Sequence, residues 1–214
     1  MYHTFIQGSL GAGKTLTMSL LAHHWRQRVR NLGGDVQLFS NYGLKDSSDM
    51  LHYSDWYDVA KAQGSICCWD EGQMAFDSRQ ALKSKSIYAT QLLMYVRKMK
   101  SIQMYCSPSI MNVDSRIRQV VEVLINVRRN GKKGITLDFF DYQAKQFGAN
   151  GKFLHSQFLP QYKINQIYKL NLYDTHAMVQ GFPLPNTDRQ AQDFFNQLNE
   201  IHNSARQGKE LMTV

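Results

Sequence analysis

The residues with the clearest chemistry form a glycine-rich segment of the pattern Gly-x4-Gly-Lys-Thr. Glycines let successive backbone N–H groups turn toward phosphate oxygens, the lysine reaches the β and γ phosphates, and the threonine hydroxyl ligates Mg²⁺. We therefore expect a binding site for ATP and Mg²⁺. Its residues are Gly8, Ser9, Leu10, Gly11, Ala12, Gly13, Lys14 and Thr15.

An acidic pair, Asp70 and Glu71, directly follows the short apolar run 65–69. An aspartate in this position holds Mg²⁺ together with Thr15, generally through the water shell of the ion, because Mg²⁺ loses water reluctantly. A following glutamate can orient and deprotonate the attacking water, which hydrolysis needs and nucleotide binding does not. The pair therefore favours a Mg²⁺-dependent ATP hydrolase over a small-molecule kinase.

Phosphoryl transfer also needs positive charge at the γ phosphate, which a neighbouring subunit can supply as an arginine finger. We expect the candidate arginines to lie near the carboxyl edge of the sheet, and we prefer Arg116 and Arg118; each could instead be a surface or DNA-contacting residue. Ser107 could sense the γ phosphate or simply form a turn before Pro108. The candidate arginines are Arg79, Arg97, Arg116 and Arg118.

Alternating strand-like and helix-like patterns predict an α/β fold with a mostly parallel sheet. Strands are expected at residues 3–7, 36–40, 65–69, 102–106, 121–127, 135–142 and 167–173. Helices are expected from Thr15 and at residues 54–63, 86–100, 114–119 and 188–206. Asn130-Gly131 predicts a hairpin between the fifth and sixth strands, and residues 143–166 read as a loop.

Length and composition indicate an ordinary globular protein. The 214 residues suit a single domain, with a core over residues 1–142 and an extension over 143–214 that ends in a helix. The three cysteines (Cys67, Cys68 and Cys106) fall in apolar runs, as buried thiols do in a reducing compartment. We find no secretory signal and no apolar run long enough for a membrane span, which favours a cytoplasmic location.

The net charge of +8 is concentrated in one part of the chain. Between Arg97 and Lys133 there are nine Lys and Arg residues against two acidic residues. Such a local surplus is typical of a surface that faces a polyanion, most often the backbone of a nucleic acid. A solvated basic face that only aids solubility is the alternative.

Several segments together resemble the HerA–FtsK branch of P-loop ATPases. They are Gly8-Ser-Leu-Gly-Ala-Gly-Lys-Thr15, Leu38-Phe-Ser-Asn-Tyr42, Cys68-Trp-Asp-Glu-Gly-Gln-Met-Ala-Phe76 with Arg79, Val96-Arg97, and Ser107-Pro-Ser-Ile-Met-Asn-Val-Asp-Ser-Arg-Ile-Arg118. Within the branch, the chain is similar to the genome-packaging ATPases of membrane-containing viruses and to the zonula-occludens-toxin-like assembly proteins of filamentous phages. The branch usually has glutamine where Ser107 stands.

The resemblance implies a RecA/FtsK-type P-loop fold whose C-terminal part adds antiparallel strands. It also implies a homo-oligomeric ring, commonly a hexamer, that hydrolyses ATP at subunit interfaces and moves double-stranded DNA into a preformed capsid. Capsid or membrane-vertex proteins would be partners, in the host cytoplasm or at the virion vertex. Two alternatives stay open: a phage assembly ATPase that acts at a membrane, and a P-loop nucleotide kinase.

Overall fold

The computed structural model describes residues 2–72, 83–113, 115–176, 178–179 and 181–212 of the chain. Its strands are β1 (His3–Gln7), β2 (Gln37–Ser40), β3 (Ser47–Asp49), β4 (Ser65–Trp69), β5 (Ser101–Ser107), β6 (Val123–Arg129), β7 (Gly134–Asp141) and β8 (Lys152–Pro160). Its α-helices are α1 (Lys14–Asn31), α2 (Trp56–Ala62), α3 (Lys83–Lys98), α4 (Ser115–Val120), α5 (Gln161–Tyr168) and α6 (Asp188–Met212). Short 3-10 helices cover Tyr53–Asp55, Ile110–Asn112 and Lys145–Phe147.

All eight strands form one sheet in the order β3-β2-β4-β5-β1-β6-β7-β8. In this sheet order, the first six strands are parallel to one another, whereas β7 is antiparallel to β6 and β8 is antiparallel to β7. The carboxyl ends of β1, β2, β4 and β5 therefore meet at one edge, which we call the carboxyl edge. In open α/β sheets this edge is where ligands bind.

Alternate residues of the central strands enter two separate hydrophobic cores, one on each face of the sheet. Phe5 of β1 packs on the face covered by α2, α3 and α6, whereas Ile6 packs on the face covered by α1 and α5. Both faces of the central strands β1, β4 and β5 are thus buried, as helical crossovers require. We call the second face the α1 face.

The predicted fold class is confirmed. Strands β1 and β4 have the predicted bounds, and the predicted hairpin at Asn130-Gly131 joins β6 to β7. The three cysteines are buried, as expected, and burial raises the pKa of the Cys67 thiol to about 11. Across the described residues, no helix is long and apolar enough to cross a membrane.

Two expectations for the C-terminal part were wrong. Residues 143–166 are not a loop, because they contain β8 and most of α5. Nor do residues 167–173 form a strand: α5 ends at Tyr168, and Tyr173 makes only an isolated bridge with Leu44. The sequence did not predict β8, because most residues of this strand are exposed on both faces and its sequence lacks the alternation of a half-buried strand.

Candidate nucleotide site

The segment 8–15 forms a tight loop between the carboxyl end of β1 and the first turn of α1. Gly13 caps the helix with φ 101°, and Gly11 has φ 72°, both in the region that favours glycine. At Gly8, a Cβ atom would stand 2.4 Å from the carbonyl oxygen of Val127. The loop therefore needs its glycines, and it directs the N-terminal end of α1 toward any bound phosphate.

Lys14 lies folded back over this loop. Its side chain is buried, and its Nζ donates a 3.2 Å hydrogen bond to the carbonyl oxygen of Ser9. Ser9 also accepts a hydrogen bond from the backbone N–H of Ala12, which closes the loop. The ammonium group is thus held where the β and γ phosphates bind in loops of this pattern.

Thr15 and Asp70 meet at the carboxyl edge. The Thr15 hydroxyl donates a 2.8 Å hydrogen bond to Oδ2 of Asp70, which follows β4 directly. Burial raises the pKa of the Asp70 carboxyl, while the bonds from Thr15 and from the Glu71 N–H oppose this shift. One hydroxyl and one carboxylate suit Mg²⁺, which takes few protein oxygens and completes its shell with phosphates and water. The residues present therefore fit the ion.

Asn41 fixes the backbone of Asp70 in place. Its Nδ2 donates to the Asp70 carbonyl oxygen at 3.1 Å, and its Oδ1 accepts from the Asp70 N–H at 2.8 Å. Both residues are buried at the carboxyl ends of the adjacent strands β2 and β4. Sequence reasoning gave Asn41 no role of its own. Its position directly after a strand could have predicted this role, because the acidic residue Asp70 also directly follows a strand.

Glu71 follows Asp70 in an uncommon backbone conformation. Its φ is 50°, which few residues other than glycine adopt, and such outliers concentrate at functional sites. The Glu71 N–H donates a 3.0 Å hydrogen bond to Oδ1 of Asp70, so the two acidic residues share one turn. The half-buried Glu71 side chain is close enough for its charge to raise the pKa of Asp70 further.

Ser107 lies at the carboxyl edge, at the end of β5, between the strands that carry the two motifs. It is buried and pairs in register with Gln7, the residue before the phosphate loop. Its hydroxyl donates to the carbonyl oxygen of Ser109 at 3.3 Å, as a turn residue before Pro108 would. The position beside Gln7 suits a sensor, and this bond suits the turn.

Among the described candidate arginines, the structure separates Arg97 from Arg116 and Arg118. Arg97 lies at the opposite, amino edge, because it ends α3 just before β5 begins, so its expected position was wrong. Arg118 lies on α4 with its Nη1 3.3 Å from the Met111 sulfur, close after β5 at the carboxyl edge, and its charge also helps burial to lower the pKa of Lys145, which follows β7. Arg116 is exposed on α4, and Arg79 lies outside the described residues.

The basic stretch 97–133 is likewise divided between two edges. Arg97, Lys98 and Lys100 precede β5 at the amino edge, whereas the cations of the β6–β7 hairpin lie at the carboxyl edge. Within the hairpin, Arg129 reaches the phosphate loop: its Nη1 is 3.5 Å from the Gly11 carbonyl oxygen. The sequence left these cations open between protecting a sheet edge and contacting a ligand, within a stretch expected to face DNA or a neighbouring subunit, and did not predict the contact with the phosphate loop.

A cleft of about 510 Å³ opens beside the first turn of α1. Its lining includes Leu16, which follows Thr15, and the aromatic residues Tyr168 and Tyr173. Lys45, Asn171, Asp174 and Thr175 add charged and polar groups, so the lining is partly polar.

Several solved structures are similar to this chain. The N-terminal domain of zonular occludens toxin from Neisseria meningitidis matches with a TM-score of 0.57 and 20% identity, over 81% of this chain and 98% of that one. The genome packaging NTPase B204 of Sulfolobus turreted icosahedral virus 2, in complex with ATP-gammaS, matches with a TM-score of 0.44 and 8% identity, over 65% and 91%. B204 of Sulfolobus turreted icosahedral virus, a DNA-packaging ATPase, gives 0.42 and 10%, over 86% and 98%.

The zonular occludens toxin domain, to which the sequence suggested a likeness, shares the fold of this chain. No protein-family model matches the chain, and no curated protein is significantly similar to it in sequence.

Proposed function

We propose that this chain is a Mg²⁺-dependent ATP hydrolase that moves DNA during virus or phage assembly. The observation that carries the hydrolase part is the hydrogen bond between Thr15 and Asp70. It joins the phosphate loop to the acidic pair and brings two Mg²⁺-type oxygen ligands together beside Lys14. The further step, DNA movement into a capsid, is supported by the basic hairpin and by the resemblance noted in the sequence.

In the proposed reaction, Lys14 and the loop N–H groups hold the phosphates, and Thr15 and Asp70 hold Mg²⁺, which neutralises phosphate charge when bound. Glu71 orients a water molecule and accepts its proton as the water oxygen bonds to the γ phosphorus. The bond from this phosphorus to the oxygen bridging to the β phosphate breaks, which releases ADP and inorganic phosphate. The buried Asp70 and Asn41 keep Glu71 positioned for this step.

Two further candidates follow from the same site. A phage assembly ATPase that acts at a membrane without moving DNA is favoured by the match to nearly the whole zonular occludens toxin domain. A nucleotide kinase is less favoured, because Glu71 suits the activation of water. All three functions need the nucleotide site, so the reaction products and the effect of DNA distinguish them.

The deciding experiment measures phosphate release with and without double-stranded DNA, together with the mass of the assembly. We expect release that DNA stimulates. Lys14→Ala should abolish nucleotide binding, and Glu71→Gln should bind ATP but lower turnover by about 10²- to 10⁴-fold. Appreciable turnover by Glu71→Gln would remove Glu71 as the base. A phosphorylated small-molecule product would select the kinase, and DNA-independent release with an envelope partner would select the assembly ATPase.

The DNA step has its own test in the hairpin. Lys132 and Lys133 are exposed, so their joint replacement by alanine should weaken duplex binding and reduce its salt dependence by about two counterions. The double replacement of Lys163 and Lys169, which are exposed on α5 and at its end, removes the same charge as a control. Equal binding by both double variants would contradict a DNA role for the hairpin.

A further inference from the structure

The β6–β7 hairpin packs against the phosphate loop. Strand β1 pairs with β6 up to Gln7 and Asn126, so residues 127–129 of β6 continue alongside the loop itself. The Val127 carbonyl oxygen occupies the space where a Cβ of Gly8 would lie, 2.4 Å away. On the return strand, the Ile135 side chain lies 3.6 Å from the corresponding position at Gly13. The hairpin therefore touches the loop at both of its ends.

The alternation of β6 sends its last two arginines to opposite faces of the sheet. Arg128 points away from the α1 face and pairs with Asp138, with 2.7 Å between Nε and Oδ2. Arg129 follows Ile125 and Val127, which are buried in the core of the α1 face, so its side chain is on the same side as α1. Of the two arginines, only Arg129 is thus placed on the side of the phosphate loop.

Arg129 already touches the middle of the loop. Its exposed side chain places Nη1 3.5 Å from the Gly11 carbonyl oxygen, at the long limit of a hydrogen bond. Among the described residues, no carboxylate lies within ion-pairing distance of Arg129. A guanidinium in this position can exchange a weak neutral contact for a shorter, charge-assisted bond to a phosphate oxygen.

We propose that the Arg129 side chain, which extends from the β6–β7 hairpin to Gly11 of the phosphate loop, binds the phosphates of a nucleotide held by the same chain. This inference rests on the proposed nucleotide site and adds to it a cation that the sequence motifs do not contain. Arg129, from the hairpin, would act together with Lys14, from α1; the two side chains contact the carbonyl oxygens of Gly11 and Ser9 of the loop. The ligand class is a nucleoside polyphosphate with its Mg²⁺.

The test measures the dissociation constant of a non-hydrolysed ATP analogue with Mg²⁺ and without DNA, on the whole chain. Arg129→Ala should weaken binding by about tenfold or more, as the loss of a hydrogen bond to a charged group does. Arg129→Lys should fall between this variant and the wild type, because it keeps the charge but loses the planar donor pair. The matched control is Arg28→Ala, which removes the same exposed charge from the far part of α1 and should stay within twofold of the wild type.

Two outcomes would overturn the inference. The first is an Arg129→Ala constant within twofold of the wild type; if duplex binding by this variant is weakened as well, Arg129 is a DNA contact. The second is an equal loss in Arg28→Ala, which would reduce the effect to net charge. Lys14→Ala separates this failure from that of the site: if the wild type binds and Lys14→Ala does not, the nucleotide site stands whatever Arg129 does.

Discussion

The Thr15 hydroxyl donates a 2.8 Å hydrogen bond to the Asp70 carboxylate, although 55 positions separate the two residues. Thr15 lies in the first turn of α1, which follows β1, and Asp70 follows β4; in the sheet, β5 stands between β4 and β1. The contact therefore exists only because the crossover helices bring the ends of these strands to one edge. It links the loop that would hold phosphates to the carboxylate that would hold their metal ion.

The first prediction concerns the charge of Asp70. Asp70→Asn keeps the size of the side chain, and its one amide oxygen can accept the hydrogen bond from Thr15 in place of that from the Glu71 N–H, but it removes the negative charge that attracts Mg²⁺. We expect nucleotide binding to lose most of its dependence on Mg²⁺. A titration of an ATP analogue at several Mg²⁺ concentrations measures this, and binding in the presence of a chelator serves as the control. An undiminished Mg²⁺ effect in the variant would argue against Asp70 as a ligand.

A second prediction concerns Asn41, whose amide satisfies both backbone groups of Asp70. Asn41→Ala leaves a buried N–H and a buried carbonyl without these partners, which costs about 1 to 3 kcal/mol each if water does not replace them. We expect a lower free energy of unfolding in urea. Asn165→Ala, at an exposed position on α5, is the matched control and should change stability little. Similar losses in the two variants would contradict the structural role of Asn41.

The sequence predicted the site more fully than it predicted the surroundings of the site. Lys14, Thr15, Asp70 and Glu71 belong to contiguous motifs, and their neighbouring strands are buried runs with clear bounds, so the local pattern determines both. The contact of Arg129 with Gly11 depends on the length by which β6 passes β1, which no local pattern contains. This overlap arises from the pairing of two strands far apart in the chain, and so the hairpin could be predicted while its target could not.

The edge strand β8 shows the same limit in another form. Its pairing with β7 supplies the backbone hydrogen bonds, and it needs no buried face of its own. Phe153 and Leu154 are neighbours in the chain, so apolar and polar residues do not alternate along β8 as they would in a half-buried strand. Both of these side chains, and that of Phe158, are about half exposed. Gly151, read as part of a loop, forms the tight entry to this strand: a Cβ there would stand 2.0 Å from the Asp141 carbonyl oxygen.

A third prediction tests the packing of the phosphate loop against the hairpin. In Gly8→Ala, the added methyl group would overlap the Val127 carbonyl oxygen, which is backbone and cannot turn away. We expect a loss of about 1 to 3 kcal/mol in unfolding free energy, as overpacking usually gives, together with weaker nucleotide binding. Gly181→Ala is the control, because no atom lies within 4 Å of its new methyl group. Equal stability of the two variants would show that the loop and hairpin are not packed this tightly.

The last prediction concerns the pH dependence of stability. His3 is buried in β1, and this burial lowers the pKa of its imidazole from 6.5 to about 4, although the nearby Glu122 carboxylate acts in the opposite direction. Between these two values the unfolded chain binds a proton that the folded chain does not. The contribution of neutral His3 to the free energy of unfolding is therefore fully present above pH 6.5 and is lost as the pH falls toward 4.

From pH 7.5 to pH 5 this one histidine should remove on the order of 2 kcal/mol of unfolding free energy, as calculated from the two pKa values. Urea unfolding of the wild type and of His3→Gln at both pH values measures the effect, and the variant should show the smaller decrease. His155→Gln, at an exposed position on β8, should keep the decrease of the wild type. If His3→Gln lost as much stability as the wild type over this range, His3 would not be the titrating group.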